Sequence, residues 1–148
     1  MTMAANRLFI DTNILVSAIV PESPRYFHAQ GVLERVAASD FETWISRQVL
    51  REFLSSMSRH YTTPRRFSTP ELLAAAGQLE QQYFVAEDHG LVTQQLLFLL
   101  DKVPSGGKQI HDANIVATML AYDIPQLLTY NHDDFQRFAG FVRFSDSV

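Results

Sequence analysis

The sequence of 148 residues contains no cysteine. That excludes a disulfide framework and every thiolate metal site. A metal ion, if bound, must be held by carboxylates, histidines or backbone oxygens. Such donors favour hard cations, Mg²⁺ or Mn²⁺, over zinc. Long hydrophobic runs are also missing. The longest apolar-rich stretch, Leu91–Leu100, is interrupted by Thr93, Gln94 and Gln95 and is too short to span a bilayer. Near the N-terminus, Arg7 and Asp11 bracket only three apolar residues, far short of a signal-peptide core. A soluble, cytoplasmic protein with no membrane partner is expected. Basic excess is absent too: the net charge is −4, which argues weakly against a nucleic-acid partner. Lysine occurs only at Lys102 and Lys108, so the positive charge is nearly all arginine, the better bidentate phosphate ligand.

What is present is unevenly placed. Arg47, Arg51, Arg59, Arg65 and Arg66 crowd one region in which Glu52 is the only acid. A solvated helix face and a loop explain that crowding as well as a phosphate-binding surface does. The length suits one domain over residues 1–148, with enough chain to bury a core. No internal repeat or low-complexity segment breaks it.

The stretch Arg7–Leu15, RLFIDTNIL, organises the rest. Leu8–Ile10 is apolar without alternation, as a central parallel strand covered on both faces should be. Asp11 stands at its end, and a short helix over Ile14–Val20 follows, stopped by Pro21. Ser23-Pro24 starts a helix running from Arg25 to about Ala38. Phe41–Ile45 alternates as a strand. Ser46 caps a helix reaching Arg59, with Val49, Leu50, Phe53, Leu54 and Met57 as its apolar stripe. Tyr61–Ser68 reads as a basic loop. Thr69-Pro70-Glu71 opens the next helix, which leads to a short strand over Tyr83–Ala86. Glu87-Asp88 opens a helix through Leu100. After the Pro104–Gly107 break, Lys108–Tyr122 is apolar on most sides and should lie buried. A strand over Gln126–Thr129, a short helix over Asp134–Phe138 and a strand over Phe141–Phe144 complete the series. Strands alternating with helices predict a three-layer α/β/α sandwich with a mainly parallel sheet. Its functional crevice should lie beyond the carboxyl ends of the strands.

Several acids fall where that crevice should be, and each has a plainer reading. Asp11 sits at a strand end but could simply cap a helix. Glu52 lies at the edge of an apolar stripe, yet a solvated pairing with Arg47 or Arg59 would explain it. Asp112 opens the most buried helix, where the helix dipole alone welcomes an acid. Thr129, Asn131, Asp133 and Asp134 follow the last parallel strand, where turn chemistry is an equal explanation. His111 and His132 read as non-catalytic. Gly106-Gly107-Lys108 lacks the flanking residues of a phosphate loop. No single acid decides the matter, but together they converge on one crevice. Carboxylates gathered so closely repel, and a shared divalent cation would hold them together. One or two such ions also supply the chemistry of phosphodiester hydrolysis.

FIDTNILVSAI, SRQVLREFLSSM and QIHDANIVATMLAYDIPQLLTYNHDDF together resemble the PIN domain, and more closely the VapC-type toxin ribonucleases. The resemblance covers nearly the whole chain. It implies the α/β/α sandwich and Mg²⁺- or Mn²⁺-dependent RNA cleavage leaving a 3′-hydroxyl and a 5′-phosphate. It implies Asp11, Glu52 and Asp112 as metal-binding catalytic acids. The fourth position, often Asp, is Asn131 here, a departure that Asp134 could offset. Thr12, Asn13 and Thr129 would orient the acids. Arg47, Arg51, Arg65 and Arg66 are the candidate RNA-backbone contacts. A cognate antitoxin and a homodimer are the implied partners. The rivals are a non-catalytic RNA- or protein-binding module of the same fold, and a phosphatase with Asp11 as nucleophile. The phosphatase would want a second Asp where Asn13 stands.

Overall fold

The structure is a computed structural model, and it describes residues 4–59 and 67–148. The basic loop expected over Tyr61–Ser68 falls outside the described residues apart from Phe67 and Ser68, and Arg65 and Arg66 fall outside with it.

Five strands form one sheet: β1 (Arg7–Ile10), β2 (Glu42–Ser46), β3 (Phe84–Ala86), β4 (Gln126–Leu128) and β5 (Arg143–Ser145). Their order is β3-β2-β1-β4-β5, and every pairing is parallel. Register is set by Phe9 beside Trp44 on one side and beside Leu127 on the other. β1 is therefore central, as its unbroken apolar run predicts. Leu8, Phe9 and Ile10 are each 0% exposed, so both faces of the strand are covered.

Among the described residues the helices are α1 (Thr12–Ser17), α2 (Tyr26–Ala37), α3 (Arg47–Arg59), α4 (Thr69–Gln82), α5 (Gly90–Lys102), α6 (Gln109–Ala121) and α7 (His132–Phe135). A 3-10 turn, Gln136–Phe138, follows α7. The chain winds outward from β1 through β2 to β3, then crosses back to β4 and β5. Parallel crossovers are right-handed, so this reversal sends the two runs of helices to opposite faces of the sheet. Packing follows the same division. α1 lies against α2 and α3, and α3 against α4, while α5 pairs with α6. The expected three-layer α/β/α sandwich is the result, with the direction of winding changing between β1 and β4. α6 is the buried helix foreseen from its composition: Ala113 and Ile115–Met119 are all buried.

Several boundaries differ from expectation, each for a local reason. α1 starts at Thr12, directly after the strand, because Asp11 itself caps it. α4 is capped by Ser68, one residue earlier than foreseen. Ser68 and Glu71 bond each other's backbone N–H groups in a capping box. α5 begins at Gly90 rather than Glu87. Glu87 and Asp88 are engaged by arginines of α3, and His89 Nδ1 accepts from Leu91 N at 3.2 Å as the cap. The last strand is shifted to Arg143–Ser145, where Phe144 pairs with Leu127. No helix among the described residues is long and apolar enough to cross a membrane.

Candidate active site

The reversal of winding leaves a crevice beyond the carboxyl ends of β1 and β4, the usual place for a ligand in an open parallel sheet. β1 delivers Asp11 there. The residue is 6% exposed, and every side-chain oxygen is occupied. Oδ1 accepts from Thr12 N at 2.8 Å. Oδ2 accepts from Thr129 Oγ1 at 2.7 Å and from Asn13 Nδ2 at 3.0 Å. Asp11 both caps α1 and lines the cleft, so the two placements posed as alternatives by the sequence coexist.

Asn13 and Thr129 stitch the two strand ends together. Asn13 Oδ1 accepts from Tyr130 N at 3.0 Å, and Thr129 Oγ1 accepts from Asn131 N at 3.0 Å. Thr12 reaches the other way, donating from Oγ1 to Glu52 Oε2 at 3.1 Å. The remaining Glu52 oxygen accepts from Gln48 Nε2 at 2.8 Å. Glu52 thus faces inward from α3 and has no arginine partner among the described residues. Asp112, in the first turn of α6, faces the same cleft, and no hydrogen bond holds its side chain among the described residues. Two carboxylates are fixed and one can turn.

Electrostatics register this convergence. The Asp11 carboxyl is pushed up to about 6, chiefly by burial, with the negative charges of Glu52 and Asp112 adding to the effect. Bonds from Thr129 and Thr12 pull it part of the way back. Asp112 is likewise pushed up to about 6, first by burial and then by Asp134 and Glu52. A neutral core would not place mutually repelling acids around one cleft.

The cleft measures about 340 Å³, and Asp11, Thr12, Asn13, Glu52, Asp112 and Asn131 line it. Asp134 does not. It is exposed in an adjoining recess with Arg25, Tyr130, Asp133 and Asp146, which Asn131 also borders. Its influence on Asp112 is through charge. Arg47 and Arg51 are turned away as well. Arg47 clasps Glu87 at 2.6 Å and Glu80 at 2.7 Å, and Arg51 holds Asp88 at 3.0 Å. The arginine that does line the cleft is Arg59, joined there by Ser56. Sequence reasoning passed over it as an RNA contact. The available signal was spacing: residues 52, 56 and 59 recur on one face of a helix.

As a test of the donor chemistry, the cleft offers oxygen ligands only, which suits Mg²⁺ or Mn²⁺. Acids pushed toward neutrality by burial and mutual repulsion are also ones a cation would return to their charged form. Among the described residues, however, no three of His, Asp and Glu are already gathered closely enough to hold a metal ion.

The site and sheet define an α/β domain with an acidic cleft at its topological switch point. The model of the PIN domain family matches residues 8–141, and the chain belongs to that family. Among solved structures it is similar to the VapC20 toxin of Mycobacterium tuberculosis, described as cleaving the Sarcin-Ricin loop. That pair shares 22% identity at a TM-score of 0.66, covering 91% of this chain and 96% of the other. It is also similar to VapBC-1 of nontypeable Haemophilus influenzae, with 16% identity and a TM-score of 0.68 over 94% and 96% of the two chains. VapBC2 of Rickettsia felis, bound to a promoter DNA fragment, gives 19% and 0.64 over 94% and 97%. Likeness at this level concerns the fold. A comparison with curated proteins by sequence finds no match.

Proposed function

We propose that this protein is a divalent-metal-dependent endoribonuclease, the toxin of a VapBC-type pair. The observation that carries the reading is that Asp11, Glu52 and Asp112, from three separate chain segments, share one cleft in which Asp11 and Asp112 are both pushed up to about 6. Membership of the PIN family and similarity to a toxin that cleaves an RNA loop support it. Asp11, Glu52 and Asp112 would hold Mg²⁺ or Mn²⁺, with Asn131 at the cleft wall and Asp134 adding charge from outside. Such an ion supplies two things when bound: a more acidic water, and neutralisation of charge on the scissile phosphate.

The chain's own residues do the rest. Thr12, Asn13 and Thr129 orient the carboxylates. Arg59 lines the cleft with no ion pair among the described residues, and is placed to hold a phosphate of the RNA. Arg47 and Arg51 contribute to RNA binding only if they leave their carboxylate partners. An antitoxin partner is part of the reading because the similar structures include toxin–antitoxin complexes. Homodimerisation is measurable by light scattering on the purified chain.

The second reading, a PIN-fold module that binds RNA without cutting it, is favoured by one observation: no ready-made group of three metal ligands stands among the described residues. One experiment separates them. The pure protein is incubated with structured RNA in Mg²⁺ or in EDTA, and the ends are mapped. Cleavage that needs the metal, and that Asp112→Asn lowers by at least ~100-fold (about 2.7 kcal/mol of barrier), upholds the nuclease. Binding without cleavage upholds the module.

A further inference from the structure

Gln48 is a polar side chain at a buried position of α3. It is 5% exposed, between Arg47 and Val49 in the sequence, and nothing in that context marks it. A buried amide is tolerated only when its groups are satisfied. Here each one is used. One Nε2 hydrogen goes to Glu52 Oε1 at 2.8 Å and the other to the His111 carbonyl at 2.9 Å. Its Oε1 accepts from Asn114 Nδ2 at 2.7 Å. Asn114 is itself braced: its carbonyl accepts from Thr118 Oγ1 at 2.8 Å.

Two of these bonds end on α6 and one on a cleft acid. His111 immediately precedes Asp112, so the carbonyl that Gln48 holds belongs to the turn that carries Asp112. Among the described residues the Asp112 side chain has no hydrogen bond of its own, so the backbone of that turn sets where the side chain starts from. Glu52, in contrast, has both oxygens engaged, one by Thr12 from α1 and the other by Gln48. A single amide therefore sets the direction of one carboxylate and the separation between its helix and the helix bearing another.

We propose that Gln48, locked by Asn114, is a positioning residue for the acidic cleft: it fixes Glu52 and ties α3 to the first turn of α6, so that Glu52 and Asp112 can serve one cation. The proposal rests on the metal-dependent reading above. The amide touches neither substrate nor ion. Groups that orient metal ligands typically change metal affinity or turnover by 10–100-fold when removed.

The test uses the full chain and the variants Gln48→Met, nearly isosteric but without hydrogen bonds, and Asn114→Ala. Mn²⁺ binding is followed by electron paramagnetic resonance, RNA cleavage by kcat and KM, and folding by thermal unfolding in EDTA. Gln48→Met is expected to raise the Mn²⁺ dissociation constant by about tenfold or more and to lower kcat, with KM for RNA little changed. Asn114→Ala shows the same pattern more weakly, and the double variant is no worse than Gln48→Met, because Asn114 acts through Gln48. A folded Gln48→Met protein with wild-type Mn²⁺ affinity overturns the proposal, whatever its thermal stability. If the wild-type chain neither binds Mn²⁺ nor cuts RNA, the nuclease reading fails first. The clamp is then judged by NMR in EDTA. Gln48 side-chain amide signals that move in Glu52→Ala uphold it, and signals of a freely exchanging amide overturn it.

Discussion

Replacing Asp11 by Asn should make the metal-free protein more stable in alkaline solution, by an amount that depends on pH. The Asp11 carboxyl lies at about 6 in the folded protein, against 3.8 for the ordinary side chain. The folded state therefore holds the proton more tightly than the unfolded chain does. Stability from this group is fully present below the lower value and is lost as pH rises through the upper one. The whole interval from 3.8 to about 6 is worth about 3 kcal/mol, and roughly 2 kcal/mol of it falls between about pH 4.5 and pH 8.5. The substitution also has a pH-independent cost. Asn keeps an acceptor for Thr12 N, and the Thr129 hydroxyl can turn to accept, but Asn13 Nδ2 loses one of its two acceptors and is left with Thr129 Oγ1 alone. That costs about 1 kcal/mol. The variant should match the wild type near pH 4.5 and exceed it by about 2 kcal/mol near pH 8.5, a rise in Tm of roughly 4–8 °C. Urea unfolding of both proteins in EDTA across this range measures the difference directly. Asp112→Asn should show the same sign with a smaller amplitude, since water screens that half-exposed group. A difference that stays flat with pH, or that grows toward acid, would refute the claim that burial and neighbouring acids strain this carboxylate.

Further outcomes follow from the same geometry. Mg²⁺ or Mn²⁺ should raise the Tm of the wild type at pH 8, by mass action on the folded state, and should raise it less in Asp11→Asn and Asp112→Asn; differential scanning fluorimetry with metal titration reads this. Arg59→Gln should weaken binding of a single-stranded RNA and reduce the slope of log affinity against log salt by about 0.7, whereas Arg47→Gln should leave both nearly unchanged, as fluorescence anisotropy at several salt concentrations will report. Asp123 holds a left-handed φ of 55° between α6 and β4. Asp123→Gly should be neutral or stabilising by up to about 1 kcal/mol, and Asp123→Val should cost about 1–2 kcal/mol in chemical denaturation. Phe9→Ala, at a fully buried position of the central strand, should cost about 3–5 kcal/mol in the same assay.

Much of the site was legible because its cause is local. An unbroken apolar triplet is what a strand covered on both faces requires, and Asp11 had to stand at its end. An acid at the edge of the α3 stripe, and another opening a helix apolar on most sides, had to face the interface between helices and sheet. What could not be read depends on partners distant in sequence. Arg47 is consumed by Glu80 and Glu87, from 33 and 40 residues away, and those same contacts delay the start of α5. Arg59 gained its place in the cleft for the complementary reason: no carboxylate among the described residues claims it. Gln48 is the sharpest case. A glutamine between a basic residue and a valine reads as a solvent-facing side chain until α6 is laid across it.

The central position of β1 has a consequence for how competence is acquired. Its neighbours on either side are β2, nearby in sequence, and β4, more than a hundred residues later. Until β4 docks, one edge of the first strand is bare and Asp11 lacks the hydroxyl of Thr129. A growing polypeptide therefore carries its leading acid for most of its length without the last of its supports. The cleft comes into being as a unit, late, when the far end of the molecule closes against the beginning.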